Sequence, residues 1–151
     1  MINYFFEEVS LPFKLKKRLF NTYLGKYVKS LGYKSLSINY IFCGDEYLLS
    51  INQKYLNHDF YTDTITFSNS TDSAIAGDVF ISVDRIIENH KIFSVTLEEE
   101  VYRVMIHGFL HLLGYTDKED LFAENDMTKT QEMLLQDFLL GRVSRETPNV
   151  D

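Results

Sequence analysis

The segment from Thr96 to Gly114 constrains the fold more than any other part of this chain. Thr96 followed by Glu99 forms a capping box, and the glutamates at 98–100 put negative charge in the first helical turn, where the helix dipole favours it. The helix that begins here ends before Gly114, a residue type that suits the position after a helix end. Most of its later positions are strongly apolar, namely Ile106, Phe109, Leu110, Leu112 and Leu113. We therefore expect a largely buried helix with other elements packed around it.

The other apolar patterns predict strands and helices in an interleaved order. Strands are expected at 2–8, 36–42, 64–67 and 78–83, where alternation or β-branched and aromatic residues prevail. Helices are expected from Pro12, in the first turn, to Leu31; from Asp45, as N-cap, to near Asn57; over 84–93; and from Leu121 to Gly141. This order lacks a strict βαβ repeat. It predicts an α+β fold with a central mixed sheet of about four strands, surrounding helices, and a metal site on the helix that ends at Gly114.

Length and composition favour one globular domain. A chain of 151 residues, 45% of them hydrophobic, buries a core without staples. We expect a single domain over 1–141 and a polar, mobile tail over 142–151. The single cysteine, Cys43, has no intramolecular disulfide partner, and no run of about 20 apolar residues is present. Because the first residues do not combine a basic region with a continuous apolar stretch, we expect no secretory leader. The expected location is the cytoplasm.

Charge is unevenly distributed along the chain. The net charge is −7, which by itself disfavours a protein that coats nucleic acid electrostatically. Seven of the fifteen basic residues nevertheless fall in one stretch: Lys14, Lys16, Lys17, Arg18, Lys26, Lys29 and Lys34. This basic cluster is either a solvated helix face or a docking face for RNA or another acidic partner.

His107, His111 and Asp117 form the pattern that carries chemistry. Residues four apart lie one above the other on a helix, so both imidazoles project from the same face and can share one ion. Gly114 then frees the chain to turn back and bring the Asp117 carboxylate to the open side of that ion. Three protein ligands leave a fourth position for water. The alternative is two ordinary polar histidines at a helix edge and an aspartate in a turn.

The ligand types favour zinc, one ion per chain, although nickel, cobalt or copper binds a similar set. Gly108 stands where metalloproteases of the HExxH type carry their general base, so a peptidase or amidase is disfavoured. Glycine in a helix interior costs about 1 kcal/mol relative to alanine, which indicates that something approaches the backbone closely there.

Three motifs resemble those of one known family. The stretch from His107 to Asp117 resembles H-G-x-L-H-L-x-G-Y-x-H, the signature of the YbeY family of bacterial ribosomal-RNA maturation endoribonucleases. The segment from Leu56 to Phe67 is similar to the family's segment ending in T-D-x-x-S/T-F. The segment from Gly77 to Ser82 is similar to the strand G-D-I/V-x-I-S that follows.

The resemblance implies a mixed sheet with surrounding helices, zinc held by three side chains, and cleavage of single-stranded RNA in small-subunit ribosomal-RNA maturation and ribosome quality control. His107 and His111 correspond to ligands, whereas Asp117 stands where the family more often has a third histidine. Leu56 replaces a frequent arginine, a cation able to neutralise a phosphate. Arg103 or His58 is the candidate substitute, although His58 can equally be a loop residue hydrogen-bonded to Asn57 or Asp59. The residues at 62–64 either line the cleft or shape the turn.

Two functions remain open at this point. The first is a metal-dependent endoribonuclease with single-stranded RNA, ribosomal RNA and the small ribosomal subunit as partners. The second is a non-catalytic ribosome-associated factor with a structural metal. Structural zinc sites are usually closed by four protein ligands, so a three-ligand set favours the nuclease.

Overall fold

The fold is a four-stranded sheet with helices on both faces. The computed structural model describes residues 1–58, 60–116 and 121–145. In chain order its elements are β1 (Ile2–Phe6), α1 (Lys17–Ser30), β2 (Ser35–Cys43), α2 (Asp45–Leu56), β3 (Thr64–Ser68), β4 (Ala74–Ser82), α3 (Val83–Ile92), α4 (Leu97–Leu112) and α5 (Leu121–Arg145). Within these residues no helix is both long and apolar enough to cross a membrane.

The sheet is mixed, as predicted. Its strand order is β1-β2-β4-β3, so β1 and β3 form the two edges. β1 pairs with β2 and β2 with β4 in parallel, whereas β3 and β4 pair antiparallel across the loop at 69–73. β4 is therefore a central strand, hydrogen-bonded to β2 along one edge and to β3 along the other. Helix α4 packs on one of its faces.

Helix α4 lies at the centre of the molecule, where its apolar sequence predicted it. It contacts β3, β4, α3 and α5. A Cβ on Gly108 would lie 2.4 Å from Cγ1 of Val79 in β4, so any side chain there would push the helix off the sheet. The close approach inferred from Gly108 is confirmed, and the approaching group is the strand. The hydroxyl of Tyr40 in β2 also donates to the backbone oxygen of Met105 at 2.9 Å.

The opposite face of the sheet carries helix α2 over a smaller apolar cluster. Cys43, Leu48 and Ile65 are buried in this cluster, with Phe67 and Phe80 packed against it. The main core lies on the α4 side and includes residues of α1, α3, α4 and α5. Helix α2 thus packs against the edge strand β3 on the face of the sheet opposite α4.

Two predicted helix starts are wrong for tertiary reasons. Helix α1 begins at Lys17 and not near Pro12, because the backbone N–H of Lys16 donates to the Tyr102 hydroxyl at 2.9 Å and fixes the preceding segment. The N-cap of α2 is Gly44 and not Asp45. Asp84, from the start of α3, accepts a hydrogen bond from the backbone N–H of Asp45 at 2.8 Å and caps the helix from outside.

Other bounds differ by a few residues. Strand β1 ends at Phe6 and not at 8, shortly before Glu8 adopts a positive φ of 56°. Strand β4 begins at Ala74, earlier than the predicted start at 78, because its small residues are held by the register with β2. Helix α5 continues past Gly141 to Arg145, so the first four residues of the tail predicted over 142–151 are helical. The rest of that predicted tail lies outside the described residues.

Candidate metal centre

Helix α4 brings the two predicted histidine ligands together. His107 and His111 lie one turn apart, with their ring centroids 4.7 Å apart and their planes nearly perpendicular. The two Nε2 atoms are 3.1 Å apart. Nitrogen ligands of one tetrahedral zinc ion lie roughly 3.3 Å from each other, given Zn–N bonds of about 2.0–2.1 Å. The pair therefore has the spacing that a shared ion requires.

Hydrogen bonds to the other ring nitrogens set the orientation of both rings. Nδ1 of His111 lies 3.0 Å from the backbone oxygen of Tyr115, which can only accept, so this nitrogen carries the proton. Nδ1 of His107 lies 2.7 Å from Oε1 of Gln131. The amide nitrogen of Gln131 donates to the Glu132 carboxylate at 3.2 Å, so the amide oxygen faces the ring. Both Nδ1 atoms act as donors.

With both Nδ1 atoms acting as donors, the two Nε2 atoms are the ones that carry lone pairs, and they lie close together. Two lone pairs at 3.1 Å repel unless a cation or a shared proton lies between them. A histidine that binds a metal through one ring nitrogen usually donates a hydrogen bond from the other ring nitrogen, often to a carbonyl oxygen, as both Nδ1 atoms do here. The donor set therefore fits a divalent ion held between the rings.

The third predicted ligand, Asp117, lies outside the described residues. Tyr115, two residues before it, accepts the hydrogen bond from His111 at the end of α4, and Gly114 has a φ of +106°, as expected of the residue after a helix end. Within the described ranges no group of three or more His, Cys, Asp or Glu side chains is placed to hold a metal ion. The role of Asp117 stays a prediction.

A cleft of about 320 Å³ opens beside the histidine pair. Helix α4, strand β3, helix α2 and the segment after α2 form its walls. Its lining includes His107, His111, Leu56, His58, Phe60 and the residues at 62–64. Leu56, His58 and residues 62–64 thus line the same cleft as the histidine pair.

Residues 62–64 also shape the turn into β3. The Thr64 hydroxyl donates to the backbone oxygen of Phe80 at 2.9 Å, and the backbone oxygen of Asp63 accepts from Ser82 at 2.9 Å. Both alternatives considered for this segment therefore hold, because backbone and hydroxyl contacts fix the turn while the same residues line the cleft.

Arg103, the other candidate cation, is engaged by carboxylates. Its guanidinium contacts Glu99 at 3.1 Å, Glu100 at 2.9 Å and Glu132 at 3.0 Å. The hydrogen bond to Glu132 is the main cause that raises the pKa of Arg103 above its usual value. Glu100 is buried, and burial raises the pKa of its carboxyl group despite the contact with Arg103. Arg103 thus joins α4 to α5, and it is absent from the described lining of the cleft.

Gln131 contacts the histidine pair, and the sequence alone did not predict this contact. It lies on α5, between the buried residues Met127 and Leu134, and so occupies a polar position on the apolar face of that helix. A glutamine at such a position needs a partner, which is the one signal that could have singled it out. The partner itself, His107, lies 24 residues away in sequence and could not be identified from local spacing.

The fold and the site together define a class of protein: a mixed α/β domain that carries two histidines, spaced as ligands of one ion would be, on a buried helix beside an open cleft. Comparison with known proteins then shows the family. The model of the family described as Endoribonuclease YbeY matches residues 3–139, and the chain belongs to this family. The resemblance inferred from the three motifs is confirmed.

Individual relatives agree with this assignment. Endoribonuclease YbeY of Flavobacterium johnsoniae is 44% identical over 135 residues, which cover 89% of this chain and 95% of the relative. The protein of that name from Cytophaga hutchinsonii is 44% identical over 131 residues, covering 85% and 90% of the two chains. A solution structure of a Thermotoga maritima protein shares the fold with a TM-score of 0.65 at 24% identity, covering 100% of this chain and 96% of that one.

Proposed function

We propose that this chain is a zinc-dependent endoribonuclease that cuts single-stranded RNA. The observation that carries the proposal is the pair of Nε2 atoms 3.1 Å apart, oriented by carbonyl oxygens and open to a cleft. Structural zinc is usually enclosed by four protein ligands, whereas a site at a cleft leaves a position for substrate. The names of the relatives support ribonucleic acid as that substrate.

Each group in the site has a defined task in this proposal. His107 and His111 hold the ion, and Asp117 supplies the third ligand. Gln131 and the backbone oxygen of Tyr115 keep both Nε2 atoms aimed at the ion. A bound zinc supplies Lewis-acid chemistry toward a phosphodiester. Family membership further supports a cytoplasmic role in maturation of the 3′ end of small-subunit ribosomal RNA and in ribosome quality control, with the small subunit as partner.

Metal analysis and RNA cleavage by the purified protein test this proposal together. We expect about one tightly bound ion per chain, because the three side chains form a single ligand set. Replacing His107 or His111 with alanine should abolish metal binding and, with it, the cleavage of single-stranded RNA. The wild type should cut a duplex of the same sequence only slowly. Asp117→His should keep the ion, since imidazole can take the place of the carboxylate.

His90 provides a matched control. Its Nδ1 also contacts a backbone oxygen, that of Val95 at 3.0 Å, but it lies on α3 and outside the cleft lining. His90→Ala should retain both the ion and the activity. Full metal occupancy in the double variant of His107 and His111 contradicts the metal site. Cleavage by the wild type no faster than by His111→Ala contradicts the nuclease and favours a ribosome-associated factor with a structural metal.

A further inference from the structure

Two aromatic rings form one wall of the cleft. The rings of His58 and Phe60 stack with centroids 5.1 Å apart and an angle of 24° between their planes. Both residues line the same cleft as His107 and His111. Phe60 is nevertheless 55% exposed, so a large part of an apolar ring faces solvent beside the histidine pair.

A buried asparagine holds these rings in place. Asn52 is only 1% exposed, and its side-chain amide donates to the backbone oxygen of Phe60 at 2.9 Å. Its backbone oxygen accepts from the backbone N–H of His58 at 3.1 Å. Asn57, directly before His58, adopts the left-handed conformation with a φ of 56°, which ends α2 and turns the chain into the cleft. The two rings are therefore anchored to α2 and preorganised for a ligand.

The chemistry of the wall indicates what it binds. None of the described residues that line the cleft is lysine or arginine, so these walls offer no cation to phosphate. A preorganised pair of nearly parallel rings offers a flat apolar face, and every nucleobase has a complementary flat face. Bases are available for such stacking in single strands, whereas a duplex keeps them inside its own stack.

We propose that His58 and Phe60 form a stacking subsite for one unpaired nucleobase, next to the phosphodiester held at His107 and His111. The inference rests on the proposed nuclease function and adds to it the element that selects single-stranded substrate. RNA recognition at this cleft then comes from the metal site at one end and from a stacked base at the other.

Fluorescence of 2-aminopurine in a short single-stranded RNA tests the subsite, because this base is quenched when it stacks. Zinc-loaded wild type should quench the probe on mixing. Phe60→Leu keeps the apolar bulk but removes the ring, and it should weaken binding roughly 5- to 100-fold and relieve the quenching, as expected for loss of one stacking aromatic. Phe60→Tyr should retain both affinity and quenching.

Phe93→Leu is the matched control, since Phe93 is 59% exposed but caps the C-terminus of α3, outside the described cleft lining. It should bind and quench like the wild type. Unchanged affinity and quenching in Phe60→Leu overturn the subsite and leave the exposed rings to a protein partner. An equal loss in Phe60→Leu and Phe93→Leu overturns it as well.

Cleavage followed in the same reactions separates the two proposals. If the wild type cuts RNA faster than His111→Ala but Phe60→Leu binds and quenches normally, the subsite fails and the nuclease stands. If quenching depends on Phe60 but the wild type cuts no faster than His111→Ala, the nuclease fails and the base-stacking subsite stands.

Discussion

Among single residues, Leu56 bears most on the charge of the cleft, because a cation at this position would face a bound phosphate. Leu56 lines the cleft and is 40% exposed, at the position where the motif resemblance implies an arginine. Of the two candidate substitutes, Arg103 is held by three glutamates and its charge is compensated. His58 lines the cleft but stacks on Phe60. The described lining of the cleft therefore offers no strong cation to a bound phosphate.

Leu56→Arg should raise the rate of RNA cleavage more than it raises RNA affinity. A cation at this position stabilises charge that develops in the transition state, and a preorganised group of this kind contributes roughly 10²–10³ in rate. Because this arginine comes from a substitution and is not preorganised, we expect a gain of about tenfold. Single-turnover kinetics on one short single-stranded RNA, at saturating and subsaturating protein, measure rate and affinity separately.

Leu31→Arg is the control for added charge, since Leu31 is 50% exposed at the C-terminal end of α1 and outside the described cleft lining. It should leave the rate unchanged. A neutral or harmful effect of Leu56→Arg, together with a lower turnover rate in Arg103→Ala, would return the electrostatic role to Arg103.

At the scale of elements, helices α4 and α5 act as one unit around the histidine pair. Gln131 and Glu132 are neighbours on α5, and they bind His107 and Arg103 of α4, respectively. Burial would raise the pKa of Glu132, but the hydrogen bonds from Arg103 and Gln131 outweigh it and lower that pKa, so the carboxylate stays charged. The orientation of His107 thus depends on the position of α5.

Gln131→Leu should weaken zinc binding by about 10- to 100-fold, the usual loss when a residue that orients a metal-binding histidine is removed. Leucine has nearly the same size but cannot accept the proton of Nδ1, so the ring can rotate or change tautomer. Competition with a chromophoric chelator measures the affinity. Gln131→Glu should retain it, because a carboxylate is also an acceptor.

Gln136→Leu is the matched control on the same helix, where Gln136 is exposed. Thermal unfolding of all three variants shows whether α5 still packs on α4. Zinc affinity in Gln131→Leu equal to that of Gln136→Leu would mean that His107 is oriented without Gln131.

At the scale of the whole molecule, the histidine cleft and the basic cluster lie toward opposite edges of the sheet. The cleft borders β3, which is one edge strand. The ammonium group of Lys17 lies 5.2 Å from the ring centroid of Tyr4 in β1, the other edge strand. The basic residues of the cluster are exposed. An RNA that contacts both regions must therefore extend across the molecule.

Reversing Lys16, Lys17 and Arg18 to glutamate should weaken RNA affinity without changing the single-turnover rate at saturation, because these residues are remote from the cleft. If each contacts one phosphate, the slope of log affinity against log salt should become shallower by about 2. Fluorescence anisotropy of a labelled single-stranded RNA over a salt series gives this slope.

The triple reversal of Lys54, Lys91 and Lys129, which are exposed elsewhere on the surface, makes the same change in net charge. It should have a smaller effect on both affinity and slope. Equal effects of the two triple variants would leave the basic cluster as a solvated helix face.

The sequence alone determined the features that depend on neighbouring residues. The capping box places the start of α4, since the Thr96 hydroxyl accepts from the backbone N–H of Glu99 at 3.0 Å. The four-residue spacing places His107 and His111 on one face, because the helix repeat is local. Alternation located β2, and β-branched and aromatic residues located β3 and β4, although β4 begins four residues before its predicted start. These signals lie within a few residues of the structure that they specify.

Tertiary structure decided the features that join distant segments. The parallel pairing of β4 with β2, the capping of α2 by Asp84 and the contact of Gln131 with His107 connect residues 24 or more positions apart. Gly108 illustrates both kinds of feature. A glycine inside a helix indicated that some group approaches the backbone closely, but only the fold shows that this group is Val79. Local spacing carries no information about which distant side chain completes a contact, since that depends on how all the elements pack.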